Sequence, residues 1–184
     1  LTTYAPNVPV FETIHKPLGV LTLGQWEAGE ILEAEQLEAA EIPQAEQVEA
    51  AGMPQTEQIE DSKISQIEQM EALKAHKLLA ISGIGRPESF RATLNSLGFA
   101  PADSLDFGDH HDYTDDDLIK IYAKAFELGI TALVTTEKDA VKLSQLSALK
   151  DLKLPVYVVP IGIEFVANEQ EFQQLILTIG KKDK

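Results

Sequence analysis

From Lys77 onward the apolar positions alternate between two patterns. Short unbroken runs, such as Lys77–Ser82, Ile130–Thr136 and Pro155–Pro160, are separated by stretches in which apolar residues recur every three or four positions. Unbroken short runs bounded by turn residues read as buried strands, and the three-to-four spacing reads as helix with one buried face. The first run, KLLAIS, closes on Gly83-Ile84-Gly85. Pro87 and Glu88 then suit a first helical turn, with Phe90, Leu94 and Leu97 on one face and Gly98 as the stop. Ser104–Phe107 is predicted as the second strand. Thr114, with Asp117 three residues on, gives a capping-box pattern. It opens a helix expected to bury Leu118, Ile121, Tyr122, Ala125 and Phe126 and to end at Gly129. A strand over Ile130–Thr136, a helix over Lys138–Leu146, a strand over Pro155–Pro160 and a last helix capped by Asn168 and running to Ile179 complete the series. Strands separated by helices of this length make parallel βαβ units. The fold class is therefore α/β, a Rossmann-like layered βαβ domain with a mainly parallel sheet.

Ahead of this domain lies a different texture. Aligned with itself, the chain from Leu23 repeats every eleven residues: LGQWEAGEILE, AEQLEAAEIPQ, AEQVEAAGMPQ, TEQIEDSKISQ and IEQMEALKAHK. An eleven-residue period is close to α-helical. Pro43 and Pro54 recur in phase, however, and each would break a continuous helix. Short helical pieces hinged at the prolines, or disorder, fit better than one rod. The segment is read as an expanded, solvated surface loop rather than a partner-binding arm. Its acidic polar face is wrong for anionic lipid, and loops accept long insertions at low entropic cost. Three parts follow: residues 1–26 as an extended lead-in, 27–72 as an inserted acidic low-complexity segment, and 73–184 as the α/β domain.

Charge changes the picture only once it is located. The chain of 184 residues carries a net charge of −15. Thirteen acidic residues and one base fall between Glu27 and Glu71, so the insertion holds most of the charge and the folded part is close to neutral. With no basic stripe, nucleic-acid binding is excluded as a function class. There are no cysteines, which removes disulfide frameworks and thiolate zinc sites. The apolar fraction of 44% and mean hydropathy of −0.09 are those of a soluble globular protein. No run approaches the roughly 20 apolar residues that span a bilayer. The chain opens at Leu1 directly into a Pro-rich run with no signal-peptide character, and is read as beginning at a cut end.

In parallel sheets, ligands bind beyond the carboxyl ends of the strands, and the polar motifs of this chain fall at those ends. SGIGRPE follows the first strand, FGDHHDY the second and TTEKDAVK the third. Gly83-x-Gly85 would let a backbone approach phosphate at a helix N-terminus. It lacks the third glycine of a dinucleotide fingerprint and the GK[ST] of a Walker A loop, and a tight strand-to-helix turn explains it equally well. Asp109 beside His110 is an acid/base arrangement, since a carboxylate fixes the tautomer and raises the basicity of an imidazole. His110 and His111 are neighbours in an extended loop, so only one of them faces a given ligand. Catalysis, metal binding and loop packing all remain open for this stretch, although adjacent histidines lack the i, i+4 spacing of a helical zinc pair. Asp115, Asp116 and Asp117 are read as complements to a helix dipole rather than a metal cluster. Thr136 fits a helix cap with Glu137 and Asp139 as dipole partners, while Lys138 fits equally well as a phosphate contact. No metal site is assigned.

Taken together, LLAISGIGRPESF, LGF, FGDHHDYTDDDL, ALVTTEKDAVKL and a Pro-Val strand resemble, in content, order and spacing, the C-terminal domain of the tetraacyldisaccharide 4'-kinases. VPVFETIHKPLG resembles the segment leading into that domain. The resemblance covers Pro9 to Trp26 and Leu73 to Ile179 and leaves the repeats outside. It departs from the family at Gly108, where Pro is usual, and at Arg86, where Asn is common. What it implies is ATP- and Mg²⁺-dependent phosphorylation of the 4'-hydroxyl of a tetraacylated glucosamine disaccharide, a lipid A precursor. The implied setting is the cytoplasmic face of the inner membrane of a Gram-negative-type bacterium. In that family the Walker A loop and the principal catalytic aspartate lie in an N-terminal P-loop domain, and no GxxxxGK[ST] occurs here. The resemblance therefore implies an incomplete kinase, expected to be inactive alone and to bind neither ATP nor Mg²⁺ tightly. It would reach the membrane surface only through the complete enzyme. By position, His110 corresponds to the partner of the catalytic aspartate. Asp109, Gly83, Gly85, His111, Thr136, Glu137, Lys138 and Asp139 would line the cleft. Two other classes stay in play: a metal-dependent phosphoesterase using Asp109, His110 and His111, and a non-catalytic binding module with an acidic repeat arm.

Overall fold

The computed structural model describes residues 9–29 and 67–179. Most of the repeat segment, and with it the expectation of hinged helical pieces or disorder, lies outside the described residues. The chain divides into two compact units, a larger one over Pro17–Pro160 and a smaller one built from the chain on either side of it.

The larger unit is a five-stranded sheet. In chain order its strands are β2 (Leu21–Thr22), β3 (Leu78–Ser82), β4 (Asp103–Asp106), β5 (Ala132–Thr136) and β6 (Val156–Val159), and in space they run β2-β6-β5-β3-β4. β4, β3, β5 and β6 are mutually parallel, and β2 closes the edge antiparallel to β6. The predicted parallel βαβ pattern is present. β3 and β5 are buried along their whole length, which is why they read as unbroken apolar runs: a central parallel strand is covered on both faces. Leu79, Ile81, Leu133 and Val134 are each at most 1% exposed, and burial of a side chain of this size contributes about 1.5–3 kcal/mol. The register aligns strand ends. Ser82 pairs with Asp106, Ile81 with Thr135 and Thr136 with Val159, so the loops after β3, β4 and β5 leave from one side of the sheet.

A short helix, α1 (Leu23–Glu27), follows β2 through a capping box of Thr22 and Gln25. Helical residues 67–74 (α2) lead to β3 and bury Leu73. Helix α3 (Pro87–Ser96) starts on a proline, whose missing N–H has no helical partner to lose, and buries Phe90 and Leu94. Helix α4 (Asp115–Leu128) has the expected capping box between Thr114 and Asp117. It stops at Gly129, whose φ of +61 is a left-handed conformation that favours glycine. α4 buries Leu118, Ile121 and Ala125 but not the two aromatics expected with them: Tyr122 is 51% and Phe126 80% exposed. Residues 118, 121 and 125 form one stripe, while 122 and 126 lie one position further round the helix. Helix α5 (Glu137–Leu143) begins one residue earlier than predicted and is followed by a 3₁₀ turn over Ser147–Asp151.

The smaller unit contains two strands that the sequence pattern did not reveal, β1 (Thr13–Pro17) and β7 (Ile161–Phe165), which pair with each other. Phe172, on helix α6 (Glu169–Ile179), packs its ring against those of Phe11 and Phe165, with centroids 5.3 and 4.8 Å away. Asn168 stands immediately before α6 with φ +63.

Candidate functional site

The loops leaving β3, β4 and β5 converge, and one buried carboxylate ties them together. Asp139 is 2% exposed. Its Oδ1 accepts the Gly83 N–H and the Tyr113 hydroxyl, both at 3.0 Å, and its Oδ2 accepts the Thr136 hydroxyl at 2.6 Å. The Asp139 N–H returns a bond to Thr136 Oγ1, the cap of α5. Thr136 is therefore the helix cap expected of it, and Asp139, an acidic residue of the first turn as expected, also knots three chain segments together. Gly83 has no room for a side chain: a β-carbon there would lie 2.9 Å from Asp139 Oδ1 and 3.1 Å from the Tyr113 hydroxyl. Burial first, then the Asp139 carboxylate, pushes the Tyr113 hydroxyl far above its ordinary range and keeps it a donor.

The two histidines face opposite ways. His111 packs inward, its ring stacked on Phe107 at 4.8 Å and edge-on to Tyr113 at 5.1 Å. Its Nε2 lies 2.9 Å from Asp117 Oδ2. Asp117, 4% exposed, also accepts the Thr114 N–H and hydroxyl, and its other oxygen meets Lys120 Nζ at 2.8 Å. The Lys120 ammonium above all, helped by His111 and Thr114, holds the Asp117 carboxyl far below the usual range against the opposing effect of burial. A carboxyl depressed in the folded state stabilises the fold above its unfolded value of about 3.9 and loses that contribution as pH falls below it. Asp117→Asn is thus expected to lower Tm at pH 7 and to lose less on further acidification. Thermal unfolding from pH 7 to pH 2 should show the gap between the two proteins narrowing once pH falls below about 4; parallel curves would count against the assignment.

His110 points out. Its side chain is 82% exposed, and its Nε2 lies 3.9 Å from Asp109 Oδ2, itself on a side chain 59% exposed. The residue sits at φ +57, a left-handed conformation that a β-carbon disfavours by about 1–2 kcal/mol. Strain of this kind gathers at functional sites. Gly85 approaches Asp109 from the neighbouring loop, so that a β-carbon there would meet Asp109 Oδ2 at 3.3 Å. Lys138 is exposed, and Glu137 is half-buried at the start of α5. Asp109, His110, Gly83, Gly85, His111, Thr136 and Asp139 are brought to one side of the sheet. Among the described residues no three His, Cys, Asp or Glu side chains gather as a metal would require.

One participant carried no expected role. Lys142, one turn along α5, donates from Nζ to the carbonyls of His110 and His111, both at 2.7 Å, and lies 3.0 Å from Asp112 Oδ1. The only sequence signal for it was its place in the TEKDAVK run.

The model of the family described as tetraacyldisaccharide-1-P 4'-kinase matches residues 21–181. The chain is similar to the tetraacyldisaccharide 4'-kinase of Gluconobacter oxydans, with 51% identity over 71 residues, 39% of this chain and 21% of that protein. It is also similar to that of Syntrophus aciditrophicus, with 38% identity over 109 residues, 59% of this chain and 28% of that protein. The matched part is thus less than a third of the length of either relative. A crystal structure of LpxK from Aquifex aeolicus in complex with ATP aligns with 94% of this chain and 37% of its own, at 20% identity and a TM-score of 0.47.

Proposed function

The chain belongs to the tetraacyldisaccharide-1-P 4'-kinase family, and from that premise we propose that it forms the acceptor-side part of a kinase phosphorylating the 4'-hydroxyl of a tetraacyl glucosamine disaccharide. The carrying observation is the exposed Asp109–His110 pair, set on a strained turn beyond the strand ends of a chain matched to this family over most of its length. In this reading His110 supports a carboxylate base supplied by the P-loop segment of the complete protein. That base removes the proton from the 4'-hydroxyl as the oxygen attacks the γ-phosphorus of ATP and the bond to ADP breaks. Phosphoryl transfer rests on positioning and charge neutralisation, and an exposed imidazole beside a carboxylate serves the first need.

The sequence has no Walker A loop, so in this reading ATP and Mg²⁺ are held by the P-loop segment of the complete enzyme. Phosphoryl transfer by the complete enzyme would take place at the cytoplasmic face of the inner membrane. Among the described residues no helix is long and apolar enough to cross a membrane.

The phosphoesterase reading is disfavoured by His111, whose Nε2 is engaged by Asp117 and whose ring is stacked on Phe107. The test is transfer of labelled γ-phosphate to the lipid disaccharide by the full-length protein, with the 184-residue chain as control. Transfer by the full-length protein and none by the chain is expected. No transfer by the full-length protein, or metal-dependent phosphatase activity in the chain, would overturn the reading.

A further inference from the structure

Lys142 spends its ammonium on the loop that carries His110. Three acceptors converge on one Nζ: the His110 and His111 carbonyls, each at 2.7 Å, and Asp112 Oδ1 at 3.0 Å. An ammonium has three protons to give, so this cation has one for each acceptor. A lysine in the last turn of a helix ordinarily complements the dipole of its own carbonyl end; here the side chain reaches to another loop instead. The opposite side of that loop is fixed as well, because the His110 N–H donates to the Gly83 carbonyl at 3.2 Å. Successive carbonyls turned toward one point repel each other, and here the first of them belongs to a residue held at the left-handed φ of +57. Without a cation between them, the turn has reason to relax toward an ordinary conformation and swing the imidazole away from Asp109. The Lys142 ammonium also holds the exposed Asp112 carboxyl below its usual range, which keeps the third arm of the clamp charged.

We propose that Lys142 is a positioning residue: by gathering the His110 and His111 carbonyls under one cation it holds the His110 imidazole beside Asp109 in the orientation the proton-transfer step uses. This rests on the reading of His110 given above. Lys142 lies at the surface end of α5 with its side chain 31% exposed, so Lys142→Met keeps the aliphatic stem, removes the cation and should leave the fold intact.

The test is a double-mutant cycle in the full-length kinase together with amide exchange in the 184-residue chain. Lys142→Met is expected to lower kcat about 10- to 100-fold with KM for the disaccharide within about twofold, and to accelerate exchange of the His110 amide about tenfold. In a His110→Ala background the same substitution should cost less than about twofold, because the group being positioned is gone. An equal loss in both backgrounds would make Lys142 a general stabiliser and overturn the proposal, as would unchanged kcat in the single variant. If His110→Ala itself leaves turnover intact while Lys142→Met still accelerates His110 exchange, the clamp stands and the catalytic reading of His110 is what has failed. Unchanged exchange would remove the clamp whatever the kinetics show.

Discussion

Replacing His110 by alanine in the full-length protein is expected to lower kcat by about 10²–10⁴-fold, the usual scale of acid–base assistance. The residue is well placed for a clean measurement. Its side chain is 82% exposed and its ring is absent from the stack that Phe107, His111 and Tyr113 build, so removing it takes little packing away. Backbone strain can be separated from chemistry with a second variant. Alanine at φ +57 keeps the strain that histidine has, whereas glycine relieves it. His110→Gly should therefore be as slow as His110→Ala yet more stable by about 1 kcal/mol. Steady-state kinetics and thermal unfolding of the two variants check both halves. Unchanged turnover in either variant would reject a catalytic role for the imidazole.

Asp139→Ala is expected to cost about 3–5 kcal/mol, because it strands three donors, the Gly83 N–H and the Tyr113 and Thr136 hydroxyls, in a site with little access to water. For a chain of this size each kcal/mol moves Tm by about 2–4 °C, so a fall of about 10 °C is anticipated. Asp139→Asn keeps the shape but turns one acceptor into a donor and should show roughly half the loss. Tyr113→Phe removes a single bond and should cost about 1 kcal/mol. Thermal denaturation followed by circular dichroism gives all three values. A loss below 2 °C for the alanine variant would mean that the strand-end loops are held together by something other than this carboxylate.

The alternation of strand and helix was legible because β3 and β5 are buried on both faces and so have no solvent-facing positions to blur the pattern. The buried stripe of α4 was only partly legible. Periodicity marks Leu118, Ile121 and Ala125, but it cannot tell where the sheet stops covering the helix, and Tyr122 and Phe126 lie beyond that limit. β1 and β7 escaped notice because neither contains a fully buried position to give an unbroken apolar run, and because each partner lies at the other end of the chain. At the candidate site, the convergence of three motifs followed from the rule for strand ends. Which histidine faces outward depends on the sign of one φ angle, at His110, and no composition or spacing records that. Asp139 and Lys142 were visible as residue types near the right place. The partners that tie them to the other loops include backbone atoms, the Gly83 N–H and the His110 and His111 carbonyls, which leave no trace in side-chain chemistry.

The pairing of Leu21 with Val158 bears on how this gene can change. The eleven-residue units fall between β2 and β3, ahead of the βα series that builds the rest of the sheet. Doubling the length of such a connection adds only about 0.6 kcal/mol to the entropy of closing it, so one more unit costs no more than an ordinary surface substitution. Slipped-strand duplication there is close to invisible to selection for folding, whereas the same event within β3 would throw its register against β4 and β5. Copy number in this tract should therefore drift freely among close relatives while the spacing from SGIG to TEKD stays constant.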